Sequence, residues 1–309
     1  MSKFSMRVAA AVGSLLFASV LTAVSAQAAP SASVETVASD TGAGIKSAAV
    51  SGLRGVSSYR GTGVPSDVRA YGATPVADGH KIAGLDFQTQ SIIGPDNRIR
   101  VNPTTGFPAR ATVLITRTVN GVESQHCSGW MYSPTLVLTA GHCVFNGTSW
   151  YTGQLRFYPG ANGFSYPYGS CTASQLLSNT GWTVNHSQDA DYGGAKLNCT
   201  IGNATGWYGS YWQTASLNGT PSVVQGYPGD KAQQQWVSYD QIRISDPLRL
   251  YYDNDTVGGN SGSPVYTNRP AGSPGCAGQC FLAWHAYGGS HNSGARLTES
   301  RFNLIAGWR

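Results

Sequence analysis

From residue 111 onward the chain is a succession of short runs rich in β-branched and aromatic residues, each bounded by Gly, Pro, Asn or Asp. The first run is followed by Asn120-Gly121, a strong signal for a tight β-hairpin. The runs are ATVLITRTV, SGWMYS, TLVLTA, QLRFYP, SVVQGYP, QQWVSYDQIRI, RLYYD, SPVYT and FLAWHAYG. Regularly spaced short strands of this kind indicate an all-β sandwich or barrel.

One helix is predicted, at the end of the chain. Thr298 is a suitable N-cap, and Phe302, Ile305 and Trp308 would then share one apolar face.

The first 28 residues have the features of a secretory signal peptide. Lys3 and Arg7 precede an apolar run over about residues 8–24, and Ala26-Gln27-Ala28 supplies the small residues of a cleavage site. We expect cleavage after Ala28 and secretion from a bacterial cell into the extracellular medium. No other segment approaches the roughly 20 apolar residues of a membrane-spanning helix.

Residues 29–90 differ in composition from the rest of the chain. They are rich in Ala, Ser, Gly and Val and contain none of the six Cys or eight Trp, all of which lie at Cys127 or beyond. A segment without Cys or Trp to anchor it, and with few other large apolar side chains, cannot bury much of a core of its own. We predict a propeptide here, with a disordered arm kept in the mature protein as the alternative, and a globular domain over residues 91–309.

Six cysteines in an exported chain predict disulfides, although sequence reasoning alone leaves their pairing open. Metal binding by Cys276 and Cys280 is the competing interpretation. It is disfavoured because no second cysteine pair or His-rich partner lies at the spacing of a zinc site.

From residue 91 onward, 13 Lys and Arg stand against 10 Asp and Glu, and these charges are scattered. A nucleic-acid-binding surface would show a basic patch or stripe. The mild net positive charge instead favours an acidic partner or substrate.

The stretch 253–266, DNDTVGGNSGSPVY, surrounds Ser261 with glycine. It is either a simple turn or a place where backbone amides approach a ligand closely. A serine nucleophile needs a base, and the base needs a group that holds its tautomer. His142 follows the apolar strand LVLTA at a tight turn, and Asp191 precedes a run of small residues that suits a core strand. We favour Asp191 over Asp189 as the carboxylate.

The order His142, Asp191, Ser261 is that of chymotrypsin-type enzymes. Together with TAGHC, DYGGAKL, GYPGD and GGNSGSPVY, it resembles the secreted bacterial glutamyl endopeptidases, a branch of the chymotrypsin-like serine proteases, over essentially residues 91–308. The resemblance implies two six-stranded antiparallel β-barrels with the active site in the cleft between them. It implies these three residues as the catalytic triad, and the backbone N–H groups of Gly259 and Ser261 as the oxyanion hole.

The same resemblance implies that His285 and Thr256 bind the side chain of a substrate glutamate. A buried carboxylate costs several kcal/mol unless it is matched by donors or positive charge. A trypsin-style pairing of a new N-terminus is not expected, because Asn260 precedes the nucleophile and carries no charge. In the family the freed N-terminus lies near the specificity pocket, so we predict cleavage after Gln90 and a role for the amine of Ser91 in substrate binding.

Bridges expected for family members are Cys127–Cys143 and Cys276–Cys280, which leaves Cys171–Cys199 by subtraction. The implied reaction requires no cofactor and no metal. We expect protein or peptide substrates with an acidic residue, Glu before Asp, on the N-terminal side of the cleaved bond. We also expect a separate maturation protease and a monomer that binds neither nucleic acid nor membranes.

Three alternatives to a glutamyl endopeptidase remain open from the sequence. The first is a chymotrypsin-like protease with another side-chain preference, the second is an inactive protease-like binding protein, and the third is a non-enzymatic cell-wall protein.

Overall fold

The structure is a computed structural model that describes residues 36–42, 54–84 and 90–309. All of these residues belong to one compact unit of the chain. The predicted signal peptide, residues 1–28, lies outside the described residues. The predicted propeptide, residues 29–90, is described in part.

Short strands dominate the described part of the chain. The strands are β1 (Val37–Ser39), β2 (Gly55–Val56), β3 (Gln90–Ser91), β4 (Ile99–Arg100), β5 (Thr112–Val119), β6 (Val122–Met131), β7 (Leu136–Thr139), β8 (Leu155–Pro159), β9 (Cys171–Asn179), β10 (Gly193–Leu197), β11 (Gly209–Tyr211), β12 (Pro221–Gly226), β13 (Trp236–Ser245), β14 (Arg249–Tyr252), β15 (Thr256–Val257), β16 (Pro264–Arg269), β17 (Gly278–Tyr287) and β18 (Asn292–Arg296). The α-helices are α1 (Thr180–Thr183), α2 (Gly202–Thr205) and α3 (Glu299–Ala306). Turns of 3-10 helix lie at Pro65–Val68, Ala109–Ala111, Gly141–Cys143, Gln188–Ala190 and Gly229–Lys231.

Six strands close into the first antiparallel barrel, in the order β9-β10-β7-β6-β5-β8, with β8 pairing back onto β9. The predicted hairpin between β5 and β6 turns at Asn120 and Gly121, whose φ angles are 51° and 78°. Positive φ at both residues is what a two-residue type I′ turn requires. Val113, Ile115 and Leu138 are among the side chains that fill the core of this barrel.

The second barrel has the order β16-β12-β13-β14-β18-β17 and is closed by pairing between β16 and β17. Its core includes Val224, Leu250, Val265 and Leu282. The prediction of two six-stranded antiparallel barrels is therefore confirmed. Further strands extend the two sheets outside the barrels, with β1 on the first and β2, β4 and β11 on the second.

The described chain before residue 91 lies against the barrels. Strand β1 pairs with β9, and β2 pairs with β11. The ring of Tyr59 packs on Trp207 with 4.3 Å between centroids. Val68, Ala73 and Ile82 are the buried apolar side chains of this part of the chain. It therefore covers barrel surface by strand pairing and a few small apolar contacts.

The C-terminal helix α3 has the predicted cap and buried face. The Thr298 Oγ1 accepts a hydrogen bond from the Arg301 amide at 3.3 Å, and Phe302, Ile305 and Trp308 are buried. Helices α1 and α2 are not predicted, because a single helical turn leaves no apolar periodicity to detect. None of the helices in the described ranges has the length and hydropathy needed to cross a membrane.

Candidate active site

His142 lies just after β7, in the 3-10 turn Gly141–Cys143, and its side chain is 29% exposed. The turn requires glycine at position 141. A Cβ there would lie 2.7 Å from the ring of Trp182 and 3.0 Å from Asp191 Oδ1. Gly141 therefore allows the carboxylate to approach the backbone of His142.

Asp191 is the carboxylate that contacts His142, and it is fully buried. Its Oδ2 accepts from His142 Nδ1 at 2.7 Å, and its Oδ1 accepts from the His142 amide at 2.8 Å. The alternative, Asp189, is 46% exposed and forms an ion pair with Arg249 at 2.9 Å. The structure thus joins the imidazole to the carboxylate that the sequence analysis favours.

The two groups set each other's ionisation. Burial alone would lower the pKa of His142, but the charge and hydrogen bond of Asp191 outweigh burial, and this pKa lies above its ordinary value of 6.5. Burial alone would raise the pKa of Asp191. The charge of His142 and the hydrogen bonds from His142 and Tyr287 bring it below its ordinary value. A charged carboxylate therefore supports an imidazole that takes up a proton readily.

This ionisation predicts the acid limb of the pH profile. His142 accepts a proton only when it is neutral, so the rate falls as the pH drops through its raised pKa. We expect kcat/KM for a peptide substrate to be half-maximal above pH 6.5. A substrate glutamate titrates at about pH 4.3 and does not set this limb. Initial rates measured from pH 4 to 9 check the prediction, and a midpoint below 6.5 would contradict it.

Ser261 lies in the turn between β15 and β16, whereas the other two residues come from the first barrel. Its carbonyl oxygen accepts from the amide of Ser128 in β6 at 2.8 Å and lies 3.6 Å from Cys143 Sγ. These contacts place the serine beside the turn that carries His142. Within the described residues no hydrogen bond joins the Ser261 hydroxyl to the imidazole. Such bonds are often long before substrate binds and shorten in the complex.

The amides of Gly259 and Ser261 make no hydrogen bond within the described part of the chain. The amides at 260, 262 and 263 all donate to carbonyl oxygens. Gly259 has a φ of +95°, and a Cβ on it would lie 2.7 Å from a backbone carbonyl oxygen, so no other residue fits there without strain. The loop therefore leaves these two amides without an acceptor among the described residues, and an oxyanion hole needs backbone donors of this kind.

Ser91 and Thr256 lie side by side, because β3 pairs with β15 and these two residues are direct partners. Ser91 also packs on Gly288, where a Cβ would lie 1.6 Å from the Ser91 Oγ. The Asn292 Nδ2 donates to the Ser91 carbonyl at 2.8 Å. Ser91 is joined to Gln90 by a peptide bond in the described chain, so its amine is not free.

His285 lies in β17 and is hydrogen-bonded to the loop that contains Ser261, since its amide donates to the Ser263 carbonyl at 3.0 Å. Its side chain is buried, and its Nδ1 lies 2.8 Å from the Tyr252 hydroxyl. Burial, with a smaller contribution from the charge of His142, lowers the pKa of His285 to about 3. His285 is therefore a neutral side chain at neutral pH.

Tyr252, Asp255 and Tyr287 also belong to this region and are not identified from the sequence. Asp255 is buried, and its two oxygens accept from the amides of Ile93 at 2.8 Å and Asn97 at 2.9 Å. It anchors the segment that follows the predicted cleavage point. An acidic residue six positions before the serine was a usable signal for Asp255. The two tyrosines carry none, since a tyrosine in a strand is most often a core residue.

Three disulfides are present: Cys127–Cys143 and Cys276–Cys280, as the resemblance implies, and Cys171–Cys199, as expected by subtraction. The first ties the turn of His142 to β6. Among the described residues, Cys127, His142 and Cys143 are close enough together to suggest a metal site. Their chemistry does not fit one, because both sulfurs are used in the disulfide and metal binding needs thiolates.

No family model matches the chain. It is 40% identical over 233 residues to the glutamyl endopeptidase of Bacillus licheniformis, covering 74% of this chain and 72% of that protein. It is 39% identical over 255 residues to a Bacillus subtilis protein named extracellular metalloprotease, covering 81% and 78%. The disulfide-bonded cysteines described above do not fit the metal that this second name implies.

Solved structures agree with the fold. A Glu endopeptidase in complex with MPD has a TM-score of 0.59 at 28% identity, covering 70% of this chain and 97% of that chain. The protease Anisep from Arthrobacter nicotinovorans, with a TM-score of 0.53 at 22% identity, shares the fold. With 40% identity over most of both chains and the closed double barrel, the chain belongs to the glutamyl endopeptidase family and is a chymotrypsin-like serine endopeptidase.

Proposed function

We propose that the enzyme cleaves peptide bonds after glutamate, and less well after aspartate. The observation that carries this proposal is the buried, neutral His285 bonded to Tyr252 on the strand beside the Ser261 loop. When the Tyr252 hydroxyl donates to Nδ1, the imidazole proton resides on Nε2, which is then a donor for a carboxylate. Thr256 supplies a hydroxyl donor. The name of the Bacillus licheniformis relative supports the same preference.

The proposed reaction is a two-step acyl transfer. His142 takes the proton from the Ser261 hydroxyl as Oγ attacks the peptide carbonyl, and the amides of Gly259 and Ser261 donate to the oxyanion. His142 then protonates the leaving amine, and water attacks the acyl-enzyme by the same route. Asp191 keeps the imidazole proton on Nδ1 and stabilises the cation.

We also propose that the protein is secreted as a zymogen. The signal peptide, residues 1–28, is removed first, and a second cleavage after Gln90 releases the propeptide, residues 29–90. Disulfides suit an oxidising extracellular compartment, and one relative is named as extracellular. The contact of Ser91 with Thr256 supports a role for the new amine, because it would add positive charge next to a bound carboxylate.

A panel of peptides that differ only at the residue before the cleaved bond tests the preference. The processed enzyme is assayed with Glu, Asp, Gln, Phe and Lys at that position. We expect kcat/KM for Glu to exceed that for Gln by about 100-fold, because Gln loses charge-assisted hydrogen bonds worth roughly 1.5–3 kcal/mol each. If cleavage after Gln or Phe were as fast as cleavage after Glu, the protein would still be a serine endopeptidase, but the proposed glutamate pocket would be rejected.

The same panel on protein that keeps Gln90 as an extra N-terminal residue tests the role of Ser91. We expect the Glu-to-Gln ratio to fall about tenfold, because the amine is moved by one residue from its place beside Thr256. The slow cleavage after Phe serves as the internal control and is expected to stay constant. An unchanged ratio would reject the proposed role of the amine.

A further inference from the structure

The hydroxyl of Tyr287 reaches the buried carboxylate of Asp191. It donates to Oδ2 at 2.5 Å, and the same oxygen accepts from His142 Nδ1 at 2.7 Å. The other oxygen accepts from the His142 amide. In the described structure, every hydrogen bond to this carboxylate therefore comes from His142 or from Tyr287.

A β-bulge in β17 directs Tyr287 toward this carboxylate. His285 pairs with Gly294 of β18, but Tyr287 pairs with Ser293, so β17 contains one extra residue at this point. A bulge bends the strand and changes the direction of the side chains beyond it, and bulges are common next to active sites. The Arg249 guanidinium covers the tyrosine ring at 5.4 Å from its centroid. The tyrosine is thus held by both its backbone and its ring.

We propose that Tyr287 is a positioning residue that acts on the reaction through Asp191. Its hydrogen bond fixes the rotation of the carboxylate, and so the orientation of the imidazole. It also draws negative charge away from the oxygen that faces His142 Nδ1. This inference rests on the proposed triad, and we refer to His142 and Asp191 together as the catalytic pair.

Other titratable and charged groups face the catalytic pair from several elements. Burial, with a smaller effect of the charge of His142, lowers the pKa of His126 in β6 to about 4, and His285 in β17 is likewise neutral at neutral pH. Arg249 of β14 forms an ion pair with Asp189, which lies in the 3-10 turn just before Asp191. Burial and the charge of Asp191 raise the pKa of Tyr287, so its hydroxyl keeps its proton. The acid limb therefore reports on the catalytic pair and its tyrosine.

The substitution Tyr287→Phe removes the hydroxyl and keeps the ring. We expect kcat to fall about tenfold with KM within about twofold, because one hydrogen bond to a charged group is lost. We also expect the acid limb of kcat/KM to move to higher pH. Without the tyrosine the full charge of Oδ2 faces Nδ1 and stabilises the protonated imidazole more strongly. Both are measured with a Glu peptide, and the Tm verifies folding.

The matched control is Tyr251→Phe, since Tyr251 of β14 pairs with the same Ser293 from the other side. It removes a hydroxyl from the same cross-strand row and is expected to leave kcat and the acid limb unchanged. An unchanged kcat and limb in Tyr287→Phe would overturn the inference. So would a change confined to KM, or a limb that moves to lower pH.

Ser261→Ala, assayed in parallel, separates the two proposals. If Ser261→Ala stays active, the proposed triad fails and this inference fails with it. If Ser261→Ala is inactive and Tyr287→Phe behaves as wild type, the triad stands and the role of Tyr287 alone is rejected.

Discussion

Replacement of Ser261 with alanine is expected to lower kcat by about 10⁶-fold, the effect typical of removing the nucleophile from a triad. Without Oγ no acyl-enzyme forms, and His142 has no hydroxyl proton to accept. Folding is expected to be unaffected, because the side chain is only partly buried and the backbone bond from Ser128 is kept. The measurement is kcat for a Glu peptide, together with the Tm.

Ser263 offers a matched control two residues further along the same loop. Its side chain is buried, and its hydroxyl has no hydrogen-bond partner among the described residues. Ser263→Ala therefore removes a hydroxyl at no loss of a hydrogen bond, and kcat is expected to stay within about threefold of wild type. If Ser261→Ala kept more than about 1% of wild-type activity, Ser261 would not be the nucleophile.

The substitution Asp191→Asn is expected to lower kcat by about 10⁴-fold. The carboxylate accepts three hydrogen bonds, two from His142 and one from Tyr287. An amide has one oxygen and one NH₂ group, so it cannot accept hydrogen bonds at both positions that the two carboxylate oxygens occupy. His142 then moves its proton to Nε2 and loses the lone pair that accepts the serine proton. The measurement is kcat at a pH above the acid limb.

Asp189→Asn is the control for this experiment, since Asp189 is the neighbouring carboxylate that the sequence leaves as the alternative. Its loss breaks a half-exposed ion pair with Arg249, which contributes at most about 1 kcal/mol to stability. We expect activity within about threefold of wild type. The fold of Asp191→Asn is expected to persist, because Asn179 Nδ2 holds the carbonyls at 190 and 192. If Asp189→Asn lost more activity than Asp191→Asn, Asp189 and not Asp191 would be assigned as the carboxylate that supports His142.

Strands with β-branched or aromatic residues, such as β5 and β13, are predictable because their composition matches a pleated, half-buried surface. Strand β9, with the sequence CTASQLLSN, and strand β18, with NSGAR, lack that composition. β9 is a strand because β10 and β8 pair with it on either side. β18 is a strand because β14 and β17 pair with it in the same way. Neighbouring strands impose the extended backbone there, and local propensity does not reveal it.

The candidate triad is visible in the sequence because its parts need special neighbours. Gly141 allows Asp191 to approach His142, and Gly259 has a backbone conformation that other residues rarely adopt. Such requirements leave marks in the local sequence, so the serine, the imidazole and the carboxylate each stand in a distinctive context.

The sequence by itself determined the all-β class and the triad candidates, since these depend on local patterns of strand, turn and glycine. The double barrel followed only from the family resemblance that those motifs carry. The tertiary structure alone decided that Tyr287 contacts Asp191, that Tyr252 contacts His285, and that Asp255 anchors the segment after residue 91. Each of these contacts joins residues from different elements and depends on barrel closure, the register of the strands or a bulge. No local pattern encodes such long-range pairings, because the residues meet only when the chain is folded.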